Sequence, residues 1–569
     1  MQHNPFDLDT TLQTLLDHPA SPWRLDACGV TRTARAIPAL LHPQAYIPTT
    51  PLARVILLGG LSGRLGDTML ACQALDAYLN AGAQRRAAVA LSAVPCANPD
   101  GLRLQVAPEN GAGGLPSLGY PPEGQFYDDA HNPEQRYLWR WIGLQAPDLV
   151  LEIQAGERVA WRASTAAASL GAALHATDMS PADALLPALS SGQPNGLGAI
   201  PGLCLSTPPD ALASELERLW NLLERLSVSP ARRVLDMRRA HTPREIARLL
   251  AGVYGHSLEP VVYTQGMAIE GRLWLHRLDT TGPDPVPEIV QLVEPYVSGA
   301  KAMFDDKAAA HLLAGITWAL DLAEMTGDPR YADLLISVAE RYRPGVDGGA
   351  PPPSDPDFRT EDMCMNGALL GRAFRLTGRT RYVDLLTTFL LDAPNQQADG
   401  LFWHSRSAPY YWGRGNGFAA LGFCETLTYL PGEHPSREAL VTKHQRHLDA
   451  LLQRQHASGM FPQVLDVPGS YLEFTVTCMI AYAIARGLRL GWLDASYRPA
   501  LALAWQGVTE RIDDTGGVVD ACTNTGVQRS VRDYLDRPAI FGRDDRSGAM
   551  ALWFATEMMQ LQNDTQHTA

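Results

Sequence analysis

The sequence predicts a multidomain chain: an N-terminal α/β domain with a mainly parallel sheet over residues 1–235, and an all-α (α/α)6 barrel over residues 236–569. Three observations predict it. At 569 residues the chain exceeds what one hydrophobic core organises. In the first half, short apolar runs alternate with helical stretches. From about residue 240 a long helical periodicity takes over, with a break motif that repeats.

In the N-terminal half, residues 53–60 (Ala-Arg-Val-Ile-Leu-Leu-Gly-Gly) form a short, β-branched apolar run ending in glycine, as a buried strand does. A helical stretch follows from Asp67 to Leu79, then a second apolar run from Ala87 to Val94. The helix-like segment Pro133 to Leu144 leads to a third run, Asp148 to Ile153. Strands alternating with helices imply a parallel sheet covered on both faces.

The C-terminal half repeats a helical hairpin. From His311 to Tyr342, residues Leu312, Leu313, Ile316, Leu320 and Ala323 share one helix face. Thr326-Gly327-Asp328-Pro329-Arg330-Tyr331 breaks the helix, and Leu334, Leu335 and Val338 continue a second stripe. Glycine at a break followed by proline at a first helical position joins two antiparallel helices. The unit returns from Asp362 to Leu391 around Thr377-Gly378-Arg379-Thr380-Arg381-Tyr382. Thr326 and Thr377 lie 51 positions apart, and so do Tyr331 and Tyr382, the signature of an internal repeat. Further helical stretches cover Pro243–Val253, Gly417–Tyr429, Ser436–Gln455, Glu473–Leu490, Ser496–Ile512 and Ser547–Gln560, enough for about six hairpins. Six hairpins in a ring make the barrel.

Lys and Arg number 47 against 61 Asp and Glu, a formal charge of -14, which argues against general nucleic-acid binding. The same charge requires any anion site to carry its own Arg or Lys. The eight cysteines are scattered without a C-x-x-C pair and read as buried free thiols in a reducing compartment. Met1 to Trp23 lacks a basic start followed by an apolar stretch, and no apolar segment is long enough to span a bilayer. A cytoplasmic protein with no membrane partner is expected.

Three N-terminal segments resemble the zinc carboxypeptidase superfamily, in its succinylglutamate desuccinylase/aspartoacylase branch. The family's H-G-x-E zinc motif is matched by Ser62-Gly63-Arg64-Leu65, its N-P-D-G turn by Asn98-Pro99-Asp100-Gly101, and its D-L-H segment by Glu152-Ile153-Gln154. Zinc needs imidazole, thiolate or carboxylate donors. Serine, leucine and glutamine do not supply that set, so a metal-free relative is expected, kept for packing, oligomer contacts or ligand recognition.

Three C-terminal segments resemble glycoside hydrolase families 88 and 105, the unsaturated glucuronyl and rhamnogalacturonyl hydrolases. They are Asp362-Met363-Cys364-Met365; Gly400-Leu401-Phe402-Trp403-His404 leading to Trp412-Gly413-Arg414-Gly415-Asn416-Gly417-Phe418; and Glu473-Phe474-Thr475-Val476-Thr477 running into Ala481-Tyr482-Ala483. The resemblance implies a general acid/base at Asp362 and a sugar-binding histidine at His404, for which a satisfied structural histidine is the equal alternative. Taken alone, Asp362 also fits a helix N-cap. Trp403 and Trp412 are candidates for stacking on a sugar, with core packing as the alternative. Arg414, between glycines in what reads as a loop, is the candidate for anion recognition. Asn416 reads as a sugar contact or a turn stabiliser, and Glu473 as a ligand-facing carboxylate or a first-turn helix acid. Counting back by the repeat, His311 matches Asp362, with Asp305 and Asp306 just before it. Asp306 is the candidate for the second acid that the resembling families place beside the first, with His311 next to it; solvated loop acids are the alternative reading of Asp305 and Asp306. Phe418 stands where those families carry a second tryptophan.

The resemblance implies hydration of a C4=C5 double bond in an unsaturated uronic-acid saccharide, with Asp362 as both acid and base and with no metal or cofactor. A hydrolase of saturated glucuronides on the same barrel, and a non-catalytic carbohydrate-binding protein, are the alternatives. The expected partner is a small anionic saccharide, and a homo-oligomer is left open.

Overall fold

The computed structural model describes residues 6–122, 131–191, 196–223 and 226–568. The chain forms two compact units: Met1–Ala240 with Val467–Tyr471, and His241–Asp466 with Leu472–Ala569. The division expected at residue 235 falls inside a helix, Pro230–Arg239.

The first unit is built on an eight-stranded sheet with strands β1 (Arg24–Val30), β2 (Ala36–Leu41), β3 (Ala53–Leu58), β4 (Val89–Val94), β5 (Leu149–Ala155), β6 (Ala160–Ala163), β7 (Thr177–Asp178) and β8 (Gly202–Thr207), in the order β1-β2-β4-β3-β5-β8-β6-β7. The three predicted apolar runs are β3, β4 and β5. They pair in parallel, as does β8 beside them, while the β1–β2 hairpin and β6 join antiparallel. Helices α1 (Leu65–Leu79) and α2 (Pro133–Gln145) are the two predicted connections. Leu57, Leu91, Leu151 and Leu203 are fully buried at the centre of this core.

Ser62, Glu152 and Gln154 hydrogen-bond to side chains rather than facing a common point as donors to a metal. Ser62 donates to Asp67, Gln154 to Glu152 (2.6 Å), and Arg162 to Gln154 (2.8 Å). Asn98 caps the short helix Pro99–Leu104 through the Gly101 amide, so the Asn-Pro-Asp-Gly turn is locally explained. A hydroxyl, an aliphatic chain and an amide at the three ligand positions do not fit zinc. Among the described residues no group of three or more His, Cys, Asp or Glu is placed to hold a metal ion.

The second unit is helical. Six helices face its interior: α4 (Tyr263–Leu278), α6 (Ala319–Thr326), α8 (Thr360–Thr377), α10 (Gly413–Tyr429), α12 (Phe474–Leu490) and α14 (Asp545–Thr568). Six others alternate with them along the chain: α3 (Pro243–Ala251), α5 (Val286–Val297), α7 (Pro329–Ala339), α9 (Arg381–Asp392), α11 (Arg437–Leu452) and α13 (Arg498–Thr509). Helix α8 packs on α10, α10 on α12, α12 on α14, and α14 on α4. The turn Ala314–Ile316, leading into α6, contacts both α4 and α8. The repeat seen in sequence is a repeat in geometry. Gly327 and Gly378 end α6 and α8 with φ of +71° and +68°, where a side chain would be strained. Thr326 and Thr377 each bond back to the carbonyl four residues earlier, at 2.6 and 2.7 Å, and Tyr331 and Tyr382 are buried beneath.

A buried layer of charge crosses this interior, and each inner helix supplies one member: Glu270, Asp321, Arg372, Glu425, Arg486 and Glu557. Arg372 bridges Glu270 and Glu425 at 2.7 Å each. Arg486 bridges Glu425 (2.9 Å) and Glu557 (2.8 Å). Asp321 lies beside Glu270 and pairs with Arg277. Burial holds the Glu270 and Asp321 carboxyls above their ordinary pKa, against the pull of the nearby arginines.

All eight cysteines are buried and unbridged. No helix among the described residues is long and apolar enough to cross a membrane.

Candidate active site

The proline-rich approach to α8 runs through two turns, closed by Ser354 N–H to the Pro351 carbonyl and Phe358 N–H to the Asp355 carbonyl, and the helix begins at Thr360, whose amide donates to the His404 carbonyl at 3.1 Å. Arg359 occupies the N-cap position without a side-chain cap. Asp362 lies within the first turn. The capping alternative for it is therefore excluded; its carboxylate accepts instead from the Asp355 amide at 2.7 Å.

Asp362 is 8% exposed, and burial pushes its pKa up to about 7, against the Asp355 amide that favours the ionised form. The negative charges of Glu361 and Asp355 add to the rise, and Arg359 opposes it. Glu361, the preceding residue, has the opposite fate. Burial alone would raise it, but its 3.1 Å contact with His404 Nε2, together with the charge of Arg359, holds it below the usual carboxylate range. His404 Nδ1 lies 2.5 Å from the Tyr534 hydroxyl. Two adjacent carboxyls are thus driven apart, one toward the protonated and one toward the ionised form. Tyr342, fully buried, has a hydroxyl without a protein partner and feels the charge of Asp362.

Five of the candidate sugar-contact residues lie in the interior, where each has the protein as its partner. His404, Trp412, Arg414, Asn416 and Glu473 are all fully buried. Both His404 ring nitrogens are taken, by Glu361 and Tyr534. Trp412 is covered by His404, with ring centroids 4.4 Å apart, and lies between the guanidinium groups of Arg414 and Arg537 at 5.0 and 4.9 Å. Arg414 is in the first turn of α10 rather than a loop, and it donates to the carbonyls of Cys522 and Asn524 just beyond strand β9 (Val518–Cys522). Asn416 uses its amide on the Phe402 backbone (2.9 Å in both directions), the Trp412 carbonyl (3.0 Å) and His447 (3.1 Å). Glu473 resolves as the N-cap of α12, accepting from Val476 at 2.6 Å and from the Cys522 amide at 2.9 Å. These motifs build the frame behind the acid. Asn416→Ala is accordingly expected to cost about 3 kcal/mol of stability, read as a lower denaturant midpoint, because it leaves several buried backbone and ring groups unpaired.

His311 is exposed on the short helix Ala310–Leu313, and its pKa is pushed down by partial burial and by the Arg359 charge, against Glu361. It therefore shares the neighbourhood of Glu361 and Arg359. Asp306 lies in an exposed turn before that helix. Trp403 is half-buried. Sequence reasoning missed Glu361, Arg359, Asp355, Tyr342 and Tyr534. The acidic pair Glu361-Asp362 was a usable local signal for the first of these; Tyr534 has none.

Asp362 thus lies in the first turn of an inner helix, in a unit where inner helices alternate with others along the chain. Residues 406–562 match the model of Glycosyl Hydrolase Family 88. Protein Atu3128 of Agrobacterium fabrum (strain C58 / ATCC 33970) is 30% identical over 172 residues, 26% of this chain and 72% of that protein. The chain belongs to Glycosyl Hydrolase Family 88. The unsaturated rhamnogalacturonyl hydrolase YesR of Bacillus subtilis (strain 168) is 29% identical over 128 residues, 22% of this chain, and the match spans only 36% of that relative. The solved glycoside hydrolase from family 105 of C. acetobutylicum ATCC 824 shares the fold, with a TM-score of 0.50 at 19% identity, covering 55% of this chain and 98% of its own.

Proposed function

We propose that the helical unit is an (α/α)6-barrel glycosidase that hydrolyses unsaturated, 4,5-dehydro uronic-acid saccharides, with Asp362 as acid and base. The observation that carries this reading is the contrast between neighbouring carboxyls: Asp362 is buried with no cation in contact among the described residues and is pushed up to about 7, whereas Glu361 meets His404 Nε2 at 3.1 Å and is held below its ordinary range. Environments that push two acids apart mark an assignment of roles.

The protonated Asp362 delivers its proton to C4 of the enol ether, and the cation that forms at C5 is shared with the ring oxygen. The Asp362 carboxylate then takes a proton from water, which adds at C5. The resulting hemiketal opens and expels the remaining sugar. One carboxyl serves both steps, so a widely spaced carboxylate pair is not needed. Glu361, fixed on His404, keeps the local field negative so that Asp362 retains its proton. His404 is itself oriented by Tyr534, making these two positioning residues.

A panel of lyase-generated unsaturated disaccharides tests the reading. Turnover is expected to erase the conjugated ultraviolet absorbance. Release of sugar from a saturated glucuronide, with no absorbance loss on any unsaturated disaccharide, would refute it. The membership of the family supports a saccharide partner, and binding without turnover is the outcome that would favour a carbohydrate-binding protein.

A further inference from the structure

We propose that Arg359 recognises the sugar carboxylate, setting the preference for uronic acids over neutral sugars and esters; this rests on the reading of the site as a uronyl hydrolase. The formal charge of -14 means that an anionic sugar must find a local cation. The arginine singled out in sequence is not available: Arg414 is fully buried on backbone carbonyls, and Arg537 donates to those of Asn524 and Gly526. Arg372 and Arg486 are locked in the buried charge layer.

Arg359 differs from all of these. Its side chain is 41% exposed, and its Nε lies 2.9 Å from Asp355 Oδ2. Among the described residues no protein partner takes its two Nη nitrogens. The outer edge of the guanidinium is therefore a planar pair of donors matched to a carboxylate. It stands three residues before Asp362 at the start of α8, and its charge acts on Asp362, Glu361 and His311 alike.

The chemistry of the substrate demands such a neighbour. The carboxyl of a 4,5-dehydro uronate is attached to C5, and C5 is bonded to C4, the carbon that takes the proton. A donor aimed at C4 thus has the carboxylate at its flank, and the cation that holds the carboxylate must sit beside the acid. Asp355 fixes this spacing from both sides, because its amide holds the Asp362 carboxylate while its own carboxylate holds Arg359 Nε. His311, exposed beside Arg359, stands at the same edge.

The test compares an unsaturated uronyl disaccharide with its C6 methyl ester, in wild-type protein, Arg359→Met and Arg359→Lys. The preference for acid over ester, measured as the ratio of kcat/KM values, is expected to fall about 100-fold in Arg359→Met, mainly through KM, and to recover in part in Arg359→Lys. Equal losses on acid and ester, or an unchanged ratio, would overturn the inference. Calorimetric binding of the same two disaccharides to Asp362→Asn protein, with and without Arg359→Met, reads recognition apart from turnover. Should the wild-type protein leave the disaccharide unchanged, the hydrolase reading fails by itself. Arg359 then stands if the acid binds more tightly than the ester and Arg359→Met removes the difference, and falls if there is no difference to remove.

Discussion

Asp362→Asn is expected to lower turnover of an unsaturated uronide by about 10²- to 10⁴-fold, the range over which a positioned general acid accelerates a reaction. Asparagine keeps the size of the side chain and its oxygen can still accept from the Asp355 amide, so the loss reports on the proton rather than on packing. The wild-type rate is expected to fall as pH rises through about 7, where Asp362 gives up the proton it must deliver. Stability follows the same group with a definite sign. Its folded pKa lies above the ordinary 3.8, so between about 4 and 7 the folded state holds a proton that the unfolded state has lost, and stability declines as pH rises through that window. Asp362→Asn removes this cost. The variant is therefore expected to melt above the wild type at pH 8 and to lose that advantage near pH 4, while remaining inactive at both. Thermal denaturation at the two pH values, alongside the absorbance assay, checks the pairing. A variant that is inactive because it is misfolded would melt lower at pH 8.

How much of this was legible in the sequence depended on whether the information is local. The parallel strands β3, β4 and β5 are apolar runs and announce themselves. The β1–β2 hairpin does not, because Arg24, Asp26 and Pro38 interrupt it and it lies at the sheet edge. The 51-residue repeat was visible in hinges that need glycine at positive φ, but the charged layer was not, although Glu270, Asp321 and Arg372 follow the same 51-residue spacing. A charge in an apolar helical stripe reads as an interruption until its partners on other helices are known.

At the candidate site, the resemblance singles out Asp362 and His404, but the sequence does not reveal that His404 meets Glu361 or that Tyr534 and Asp355 stand around the pair, since these arrive from separate segments. Arg414 was misplaced for an instructive reason. Glycines 413, 415 and 417 look like a loop, yet they are helical, and their role is close approach. A Cβ on Gly413 would lie 2.3 Å from the Pro462 carbonyl oxygen, and one on Gly415 would lie 2.9 Å from Thr360 Oγ1. Gly415 lets α10 press its first turn against the start of α8 and Gly413 lets it approach the Pro462 backbone, while Arg414 is buried against the carbonyls of Cys522 and Asn524.

Arg372→Met is expected to destabilise the protein by about 3–5 kcal/mol, more than any surface substitution, because it strands two carboxylates where no water reaches them. Glu270 and Glu425 are each bound to Arg372 at 2.7 Å, and all three are fully buried. Glu425 keeps Arg486 and the Tyr482 hydroxyl as partners, so the damage centres on Glu270, which is left with Asp321 beside it. Two carboxylates in that position cannot both stay ionised, and Glu270 is already held above its ordinary pKa. Protonation therefore relieves the variant. Its stability should recover as pH falls, since a carboxyl with a raised folded pKa contributes most when protonated. The double variant Glu270→Met with Arg372→Met removes the stranded charge together with its partner and is expected to regain much of the loss, as buried ion pairs replaced by apolar groups of similar volume often do. Denaturant titration of the single and double variants at pH 5 and pH 8 measures this coupling. If Arg372→Met cost less than about 1 kcal/mol at both pH values, the inner helices would be held by their apolar contacts alone, and the charged layer would have no part in holding them together.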